Sequence, residues 1–149
     1  INLIIDGGSS NVGIESTVID LTRKPKLLRE GFITQKKINT VLQIRVKKSN
    51  IKNTSPGQSL LHYSPGIPVY LNRKIPKKNG ALLVFGKSRI KSNDLFYLSK
   101  KRSLTEASKK LYELLRKIKK NGYKNISVTP IPNKDIGVAI NDRLKRSAK

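Results

Sequence analysis

The residues of this chain that could take part in chemistry are few and scattered. Residues 6–13, DGGSSNVG, are rich in glycine, but they lack the order of a P-loop and lead into a strand instead of a helix. They therefore fit a plain turn better than a phosphate cradle. His62 is the single histidine, and no Ser/His/Asp set or metal-ligand cluster occurs at a recognisable spacing. Taken one at a time, these motifs do not define an active site.

The first 47 residues, which would position the glycine-rich segment, have the pattern of a partial sheet. The predicted elements are strands over 2–5, 13–21 and 26–29, a helix that Thr34 caps and that runs to about Leu42, and extended backbone over 43–46. So few residues bury too little surface to close their own core. We therefore expect residues 1–47 to be the end of a larger α/β domain.

Residues 48–66, KSNIKNTSPGQSLLHYSPG, have the composition of a linker because Ser, Asn, Pro and Gly dominate. The four bulky residues LLHY, 60–63, are unusual in a passive tether. Their presence predicts a linker that folds over another part of the protein.

Residues 67–149 have the pattern of a compact α/β unit. The predicted elements are strands over 68–71, 81–85, 95–98 and 125–129, a helix that begins after Ser103, and a last helix over about 137–147. Ser103 and Glu106 have the spacing of a capping box, and Gly122 follows the lysine-rich end of that helix. The alternation of strands and helices predicts a small parallel or mixed sheet.

The charge of the chain is strongly positive, with 32 Lys and Arg against 9 Asp and Glu and a formal net charge of +23. Such an excess indicates a nucleic-acid partner. A genome rich in A and T would produce the same excess of Lys, Ile and Asn without any function. Few aromatic residues lie among the basic ones to stack on bases. Weak, nonspecific adhesion to RNA is therefore favoured over specific recognition.

The chain contains neither Cys nor Met. The absence of cysteine excludes disulfides, zinc–thiolate sites and thiol catalysis. No apolar run approaches the roughly 18 residues of a membrane span, and the first residues do not resemble a signal peptide. We therefore expect a cytoplasmic location and no membrane partner. Because Met is rarely removed before a bulky residue, we expect that Ile1 is not the native start.

Four segments in a fixed order are more informative than any single motif: DGGSSNVGIESTVIDL, LLREGFIT, SPGQSLLHYSP and AINDRLKRSA. Together they resemble the threonylcarbamoyl-AMP synthase family in its long two-domain form, and the match spans nearly the whole chain. The resemblance implies that residues 1–47 end a YrdC-like twisted α/β sheet domain. Residues 48–66 are then the linker that closes over the cavity, and residues 67–149 a small Rossmann-like α/β domain.

The resemblance also implies a reaction. ATP, L-threonine and bicarbonate would give threonylcarbamoyl-AMP and pyrophosphate, and the threonylcarbamoyl group would later reach a tRNA adenosine. We expect Mg²⁺ to accompany ATP and no tightly bound cofactor. The contact with tRNA would be indirect, through the downstream transfer machinery.

Three site residues are carried over from the family pattern, and none of them is assigned a catalytic role or a metal. Ser16 would line the threonine pocket, and it is preferred to Thr17 because successive strand residues face opposite ways. Arg29 would contact the nucleotide, since a guanidinium pairs well with phosphate. Tyr63 would approach the adenylate when the linker closes. Each residue also has a purely structural alternative. Ser16 could only hydrogen-bond a strand neighbour, Arg29 could be an ordinary surface arginine, and Tyr63 could only pack the linker onto the protein.

The chain also departs from the family pattern. Glu30 replaces a proline and puts an anion next to Arg29. The N-terminal Lys-x-Arg signature and Ser-x-x-Asn segment of the family, which supply most contacts to ATP and threonine, have no counterpart ahead of Asp6. We therefore expect the chain to be inactive by itself.

Three hypotheses remain open from the sequence. The chain is the C-terminal part of the enzyme, completed by the rest of a longer protein or by a separate N-terminal polypeptide. Alternatively, it is a noncatalytic fragment, a binding or regulatory module of a split or decayed gene. The third possibility is a basic RNA-binding protein unrelated to the enzyme.

Overall fold

The computed structural model describes residues 1–8, 10–49 and 63–148. The elements are β1 (Val18–Asp20), β2 (Lys26–Arg29), α1 (Gln35–Leu42), β3 (Lys47–Lys48), β4 (Val69–Tyr70), β5 (Gly80–Phe85), β6 (Leu95–Ser99), α2 (Leu104–Lys120), β7 (Asn125–Val128) and α3 (Ile136–Ser147). The fold is α/β, as the sequence predicts. Its described strands form a three-stranded and a four-stranded sheet.

The smaller sheet has the order β1-β2-β3, with β1 antiparallel and β3 parallel to β2. Helix α1 packs on it through a small buried cluster of Leu27, Ile38 and Val46. Thr34 caps α1 as predicted, because its hydroxyl accepts the amide of Lys37. The helix ends at Gln43, which adopts a left-handed φ of 53°.

Three predictions in the first segment need correction. Residues 2–5 do not form a strand, and their apolar side chains are exposed, Ile4 by 78%. Only residues 18–20 of the predicted strand 13–21 are paired, and the strand expected over 43–46 lies instead at 47–48. Hydrophobic pattern alone does not make a strand, because a strand also needs a neighbour to complete its backbone hydrogen bonds.

The larger sheet has the order β4-β7-β5-β6, and all of its strands are parallel. Strand β5, GALLVF, is buried along its whole length, as expected for a central parallel strand with both faces covered. Ala81, Leu83 and Phe85 point towards α2 and α3 in the main core. Leu82 and Val84 alternate with them and face the other side, where they are also buried. The predicted strands and helices of this half are all confirmed within a few residues.

Helix α2 begins at the predicted N-cap, since the Ser103 hydroxyl accepts the amide of Glu106 at 3.2 Å. The second hydrogen bond of a capping box, from the Ser103 amide to the Glu106 carboxylate, is replaced by other contacts. The Glu106 carboxylate accepts from the Ser99 hydroxyl at 2.6 Å and from Lys110 Nζ at 2.7 Å, while the Ser103 amide donates to the Ser99 hydroxyl. Ser99, at the end of β6, thus connects the strand to the helix. Gly122 follows the helix with a left-handed φ of 86°, as predicted.

The segment before β1 packs against the larger half. Ile14 belongs to the main core. A Cβ at Gly13 would lie 2.3 Å from the carbonyl oxygen of Ser108 on α2, so only glycine allows this close approach. Residues 15 and 16 are thereby held beside α2. The boundaries 1–47, 48–66 and 67–149 stay a prediction.

Residues 50–62 fall outside the described residues, so three of the four bulky linker residues, including His62, are not placed. In the described part of the chain, no helix combines the length and the apolar character that crossing a bilayer requires.

Candidate functional site

Ser16 and Arg29, predicted to bind different substrates, are in direct contact. Arg29 ends β2, where it pairs with Val18 of β1, so its side chain reaches back along the neighbouring segment. Its Nε donates to the Ser16 carbonyl oxygen at 3.1 Å, and its Nη2 donates to the Ser16 hydroxyl at 3.3 Å. The two positions therefore form one polar unit at the edge of the smaller sheet.

The two neighbouring hydroxyls of the Ser-Thr pair have different environments. Thr17 donates its hydroxyl to the carbonyl oxygen of Ile33, which ties the strand to the following loop. Ser16 is exposed. Thr17 thus makes a structural hydrogen bond, whereas Ser16 is exposed and its hydroxyl accepts from Arg29. That Ser16 binds threonine stays a prediction.

Glu15, which the sequence did not single out, lies at the centre of the site. Its carboxylate accepts hydrogen bonds from the Tyr112 hydroxyl at 3.1 and 3.2 Å and from Arg143 Nε at 3.0 Å. Burial alone would raise the pKa of this carboxyl, but the hydrogen bonds and the charge of Arg143 outweigh burial and lower its pKa. Glu15 is therefore an anion at neutral pH.

Arg143 on α3 is the second residue that sequence reasoning missed. Its side chain is only 1% exposed. Besides Glu15, the guanidinium donates to Asp142 Oδ2 at 2.8 Å and to the Glu30 carbonyl oxygen at 2.9 Å. Burial alone would lower the pKa of Arg143, but hydrogen bonding to Glu15 and nearby negative charge raise it. The charged fork thus connects α3 to the segment before β1 and to the residue after β2.

Tyr63, the predicted linker residue, packs into the same neighbourhood. Its ring stacks on Tyr112 with centroids 5.4 Å apart and planes 18° apart, and Arg143 lies 5.3 Å from the ring centroid. Burial raises the pKa of the Tyr63 hydroxyl, and the negative charge of Glu15 adds to that rise, whereas the charge of Arg143 and, after it, that of Arg29 act in the opposite direction. The structure therefore gathers Ser16, Arg29 and Tyr63 around one charge cluster.

A cavity of about 330 Å³ opens beside this cluster. Its lining residues are Glu15, Tyr63, Ser64, Pro65, Tyr112, Leu115 and Arg116. Burial raises the pKa of the Tyr112 phenol, and the adjacent Glu15 charge adds to that rise. Both tyrosines thus stay protonated at neutral pH and can donate hydrogen bonds.

Glu30 does not share the contacts of Arg29. Its carboxylate is buried and lies 4.0 Å from Lys48 Nζ. Burial raises the pKa of Glu30; Lys48 opposes this rise, and Asp142 adds to it. The Glu30 carboxylate therefore lies next to Lys48, while Arg29 turns to Ser16.

The described residues contain no group of three His, Cys, Asp or Glu side chains that could hold a metal ion. Among the carboxylates around Arg143, Glu15 is the one that also lines the cavity.

Comparisons with known proteins place this arrangement in a family. Residues 33–149 match the family model described as threonylcarbamoyl-AMP synthase, C-terminal domain. Among curated proteins, the threonylcarbamoyl-AMP synthases of Pyrococcus abyssi and Bacillus subtilis are each 31% identical to the chain. The match covers 99% of the chain and 49% of the first, and 97% of the chain and 48% of the second. The chain thus spans about half the length of the curated relatives it matches.

Solved structures agree with this assignment. A crystal structure of Pyrococcus abyssi Sua5 complexed with L-threonine superposes with a TM-score of 0.79 at 26% identity, covering 96% of the chain and 48% of that protein. A variant of the same protein, in which a histidine and a tyrosine are replaced by alanine, also gives a TM-score of 0.79. The chain therefore belongs to the threonylcarbamoyl-AMP synthase family and carries its C-terminal domain.

Proposed function

We propose that this chain is the C-terminal part of an L-threonylcarbamoyladenylate synthase that acts in tRNA modification. The complete enzyme would convert ATP, L-threonine and bicarbonate into threonylcarbamoyl-AMP and pyrophosphate. Family membership supports the reaction type, and the L-threonine bound to the Pyrococcus abyssi protein supports the amino-acid substrate. We propose a cytoplasmic location, where the tRNA substrate is made and used.

The observation that carries this proposal is the contact between Ser16 and Arg29. A small exposed hydroxyl suits the polar end of threonine because it can donate and accept a hydrogen bond without filling the pocket. The guanidinium next to it can pair with a phosphate of ATP or with the departing pyrophosphate. Their separation of 3.3 Å would put the amino acid next to the nucleotide, as the joining of the two requires.

Tyr63 would close this site from the linker side. Its ring has one face on Tyr112 and lies near Arg143, so the position of the linker is coupled to α2 and α3. A phenol combines an apolar face for an adenine or ribose with a tip that hydrogen-bonds. The cavity beside Tyr63 supports a binding role, although the aromatic contacts alone would also suit a packing anchor.

The remaining substrate contacts would come from an N-terminal segment, either in the same polypeptide or in a separate one. We expect Mg²⁺ to enter on the phosphates of ATP, because Mg²⁺ is usually held by substrate phosphates together with only one or two carboxylates.

Reconstitution tests the proposal. The 149-residue chain is assayed for pyrophosphate release and for threonylcarbamoyl-AMP, alone and mixed with the N-terminal part of a family member. We expect no product from the chain alone, and product from the mixture that requires both threonine and bicarbonate. Turnover by the chain alone would show that the essential basic residues are not elsewhere. A stable mixture without turnover would favour a noncatalytic module.

Specific RNA binding is the alternative function that the positive net charge suggests. Family membership excludes a protein unrelated to the enzyme, but RNA adhesion remains a prediction. If the charge reflects composition, RNA binding should weaken by orders of magnitude between about 50 and 200 mM salt and should not depend on RNA sequence. A salt-resistant, sequence-selective complex would instead support a direct RNA-binding role.

A further inference from the structure

A second cavity, of about 520 Å³, lies at the carboxyl edge of the larger sheet. It is lined by Lys74, Ile75, Val84, Phe85, Lys87, Ser88, Arg89, Ile90, Arg102, Thr129 and Pro130. These residues come from the ends of β5 and β7 and from the loops that follow β4, β5 and β6. Ligands of open parallel sheets bind at this edge, and the volume is typical of small-molecule sites. The cavity shares no residue with the Ser16–Arg29–Tyr63 site.

The lining of this cavity carries positive charge only. Two lysines and two arginines line it, and no Asp or Glu does. Among the described residues, none of these four side chains forms an ion pair with a carboxylate. Lysines are common over the whole surface of this chain, so Lys74 and Lys87 alone would indicate little. The two arginines, Arg89 and Arg102, are more selective because their planar forks match phosphate.

Arg102 is held over the cavity by its backbone. It adopts a left-handed φ of 60°, which is uncommon for a non-glycine residue and concentrates at functional sites. Its side chain passes over Gly86, whose φ is 103°, and a Cβ there would lie 3.3 Å from Arg102 Cγ. The guanidinium lies 6.0 Å from the Phe85 ring centroid. Gly86 thus leaves room for Arg102 to lie across the end of β5.

Two hydroxyls complete the polar lining. Thr129 Oγ1 accepts the Phe85 amide at 2.8 Å, and Ser88 Oγ accepts the Ile90 amide at 3.1 Å. Each hydroxyl is fixed as an acceptor and keeps its own proton to donate. The cavity therefore offers hydroxyl donors as well as cations.

We propose that this cavity binds a phosphorylated small molecule of nucleotide size. Arg89 and Arg102 pair with its phosphate oxygens, Lys74 and Lys87 add charge, and Val84 and Phe85 supply an apolar wall. The concave shape between the three loops suits a small ligand better than an extended RNA strand. The C-terminal domain would then carry a ligand site of its own, separate from the synthase site.

Nuclear magnetic resonance of the ¹⁵N-labelled 149-residue chain tests the proposal. Inorganic tripolyphosphate and ATP are titrated separately, because the first reports on phosphate alone and the second on a whole nucleotide. We expect saturable shifts in the amides of Gly86, Arg89, Arg102 and Thr129 with both compounds, and tighter binding of ATP. ATP shifts confined to residues 15–29 and 63 would support the synthase site and overturn this one.

Variants that remove charge from the cavity distinguish a specific phosphate site from nonspecific attraction by the positive surface. Arg89→Gln combined with Arg102→Asn keeps polar side chains, and Asn tolerates the left-handed backbone. We expect this pair of changes to weaken tripolyphosphate binding at least about tenfold, as the loss of charged hydrogen bonds implies. A second pair of changes, Lys87→Gln with Arg89→Gln, affects two exposed loop positions. We expect this pair to weaken tripolyphosphate binding as well, so the proposal remains testable if the first variant misfolds.

The matched control is Lys120→Gln with Lys124→Gln. Both lysines are exposed and lie at the amino edge of the sheet, at the end of α2 and before β7. The control removes the same charge and should change binding by less than about twofold. Equal weakening by control and cavity variants would overturn the proposal, as would shifts that do not saturate. RNA that shifts the cavity amides more strongly than ATP would overturn the assignment to a small molecule.

Discussion

Arg143 Nε donates a hydrogen bond of 3.0 Å to Glu15 Oε2 and so joins two residues that are 128 positions apart in the sequence. Glu15 immediately precedes Ser16, and Arg143 also contacts the ring of Tyr63. The pair therefore connects the last helix to the two parts of the chain that would bind substrate. In this way α3 can fix the geometry of residues that lie far from it in the sequence.

The first prediction concerns the stability that Arg143 provides. Arg143→Lys keeps one charge, but an ammonium cannot reach Glu15, Asp142 and the Glu30 carbonyl at once. We expect a loss of about 3 kcal/mol in the free energy of unfolding, measured by urea denaturation, because two carboxylates and the buried Glu30 carbonyl oxygen lose hydrogen bonds. The control is Lys110→Ala, which breaks the partly exposed pair with Glu106 and should cost much less. Equal losses in the two variants would contradict a central role for Arg143.

The second prediction concerns pH. The pKa of Glu15 is lowered in the folded chain, so the unfolded chain binds this proton more tightly. The stabilisation is therefore complete above the usual value of 4.5 and is lost as the pH falls through the lower folded value. We expect Glu15→Gln to reduce stability at pH 7 and to flatten the fall in stability below about pH 4.5.

The pKa of Glu30 shifts in the opposite direction to that of Glu15, so a Glu30 variant serves as the control for that experiment. Burial raises the pKa of Glu30, so its ionisation as the pH rises destabilises the folded chain. Glu30→Gln should therefore make the chain more stable at neutral pH, with the difference disappearing in acid. Thermal unfolding followed at a series of pH values measures both variants. Parallel pH profiles for the two would show that these shifts have been assigned wrongly.

The third prediction concerns Tyr63 as part of a lid, tested in the reconstituted enzyme. Tyr63→Phe keeps the ring on Tyr112 and near Arg143, and it should cost at most about tenfold in threonylcarbamoyl-AMP formation at limiting ATP. Tyr63→Ala removes the stack and should cost more. Tyr97→Ala, on β6 away from this cluster, is the control. If Tyr63→Ala leaves rate and affinity unchanged, the lid role is wrong and residues 48–66 are only a tether.

The fourth prediction separates the two substrates. Ser16→Ala should raise KM for threonine, and Arg29→Lys should raise KM for ATP, each by about tenfold, since each removes hydrogen bonds to a charged or polar substrate. Arg23→Lys, an exposed arginine in the loop after β1, should change neither constant. Because Arg29 also bonds the backbone of Ser16, circular dichroism must show that the variant keeps its fold. Equal effects of Arg29→Lys on both KM values would indicate that Arg29 orders the strand instead of binding phosphate.

Local sequence patterns are enough to predict most elements of the larger half. Runs of β-branched and aliphatic residues predicted β5 and β7, and the spacing of Ser103 and Glu106 predicted the start of α2. Thr34 predicted the start of α1 in the same way. These features are local, because hydrophobic period and cap chemistry depend on residues only a few positions apart. The order of four motifs was enough to name the family and to choose Ser16, Arg29 and Tyr63 for their proposed roles.

Which distant side chains meet depends on the packing of the folded chain. Nothing in the spacing of Glu15 and Arg143 predicts their bond, and Glu106 bonds Ser99, which lies on the preceding strand. The apolar run at residues 2–5 has a strand pattern but forms no strand, because strand pairing requires a neighbour and cannot be satisfied locally. Contacts between distant segments depend on how the elements pack, and a single sequence does not specify that packing through any local pattern.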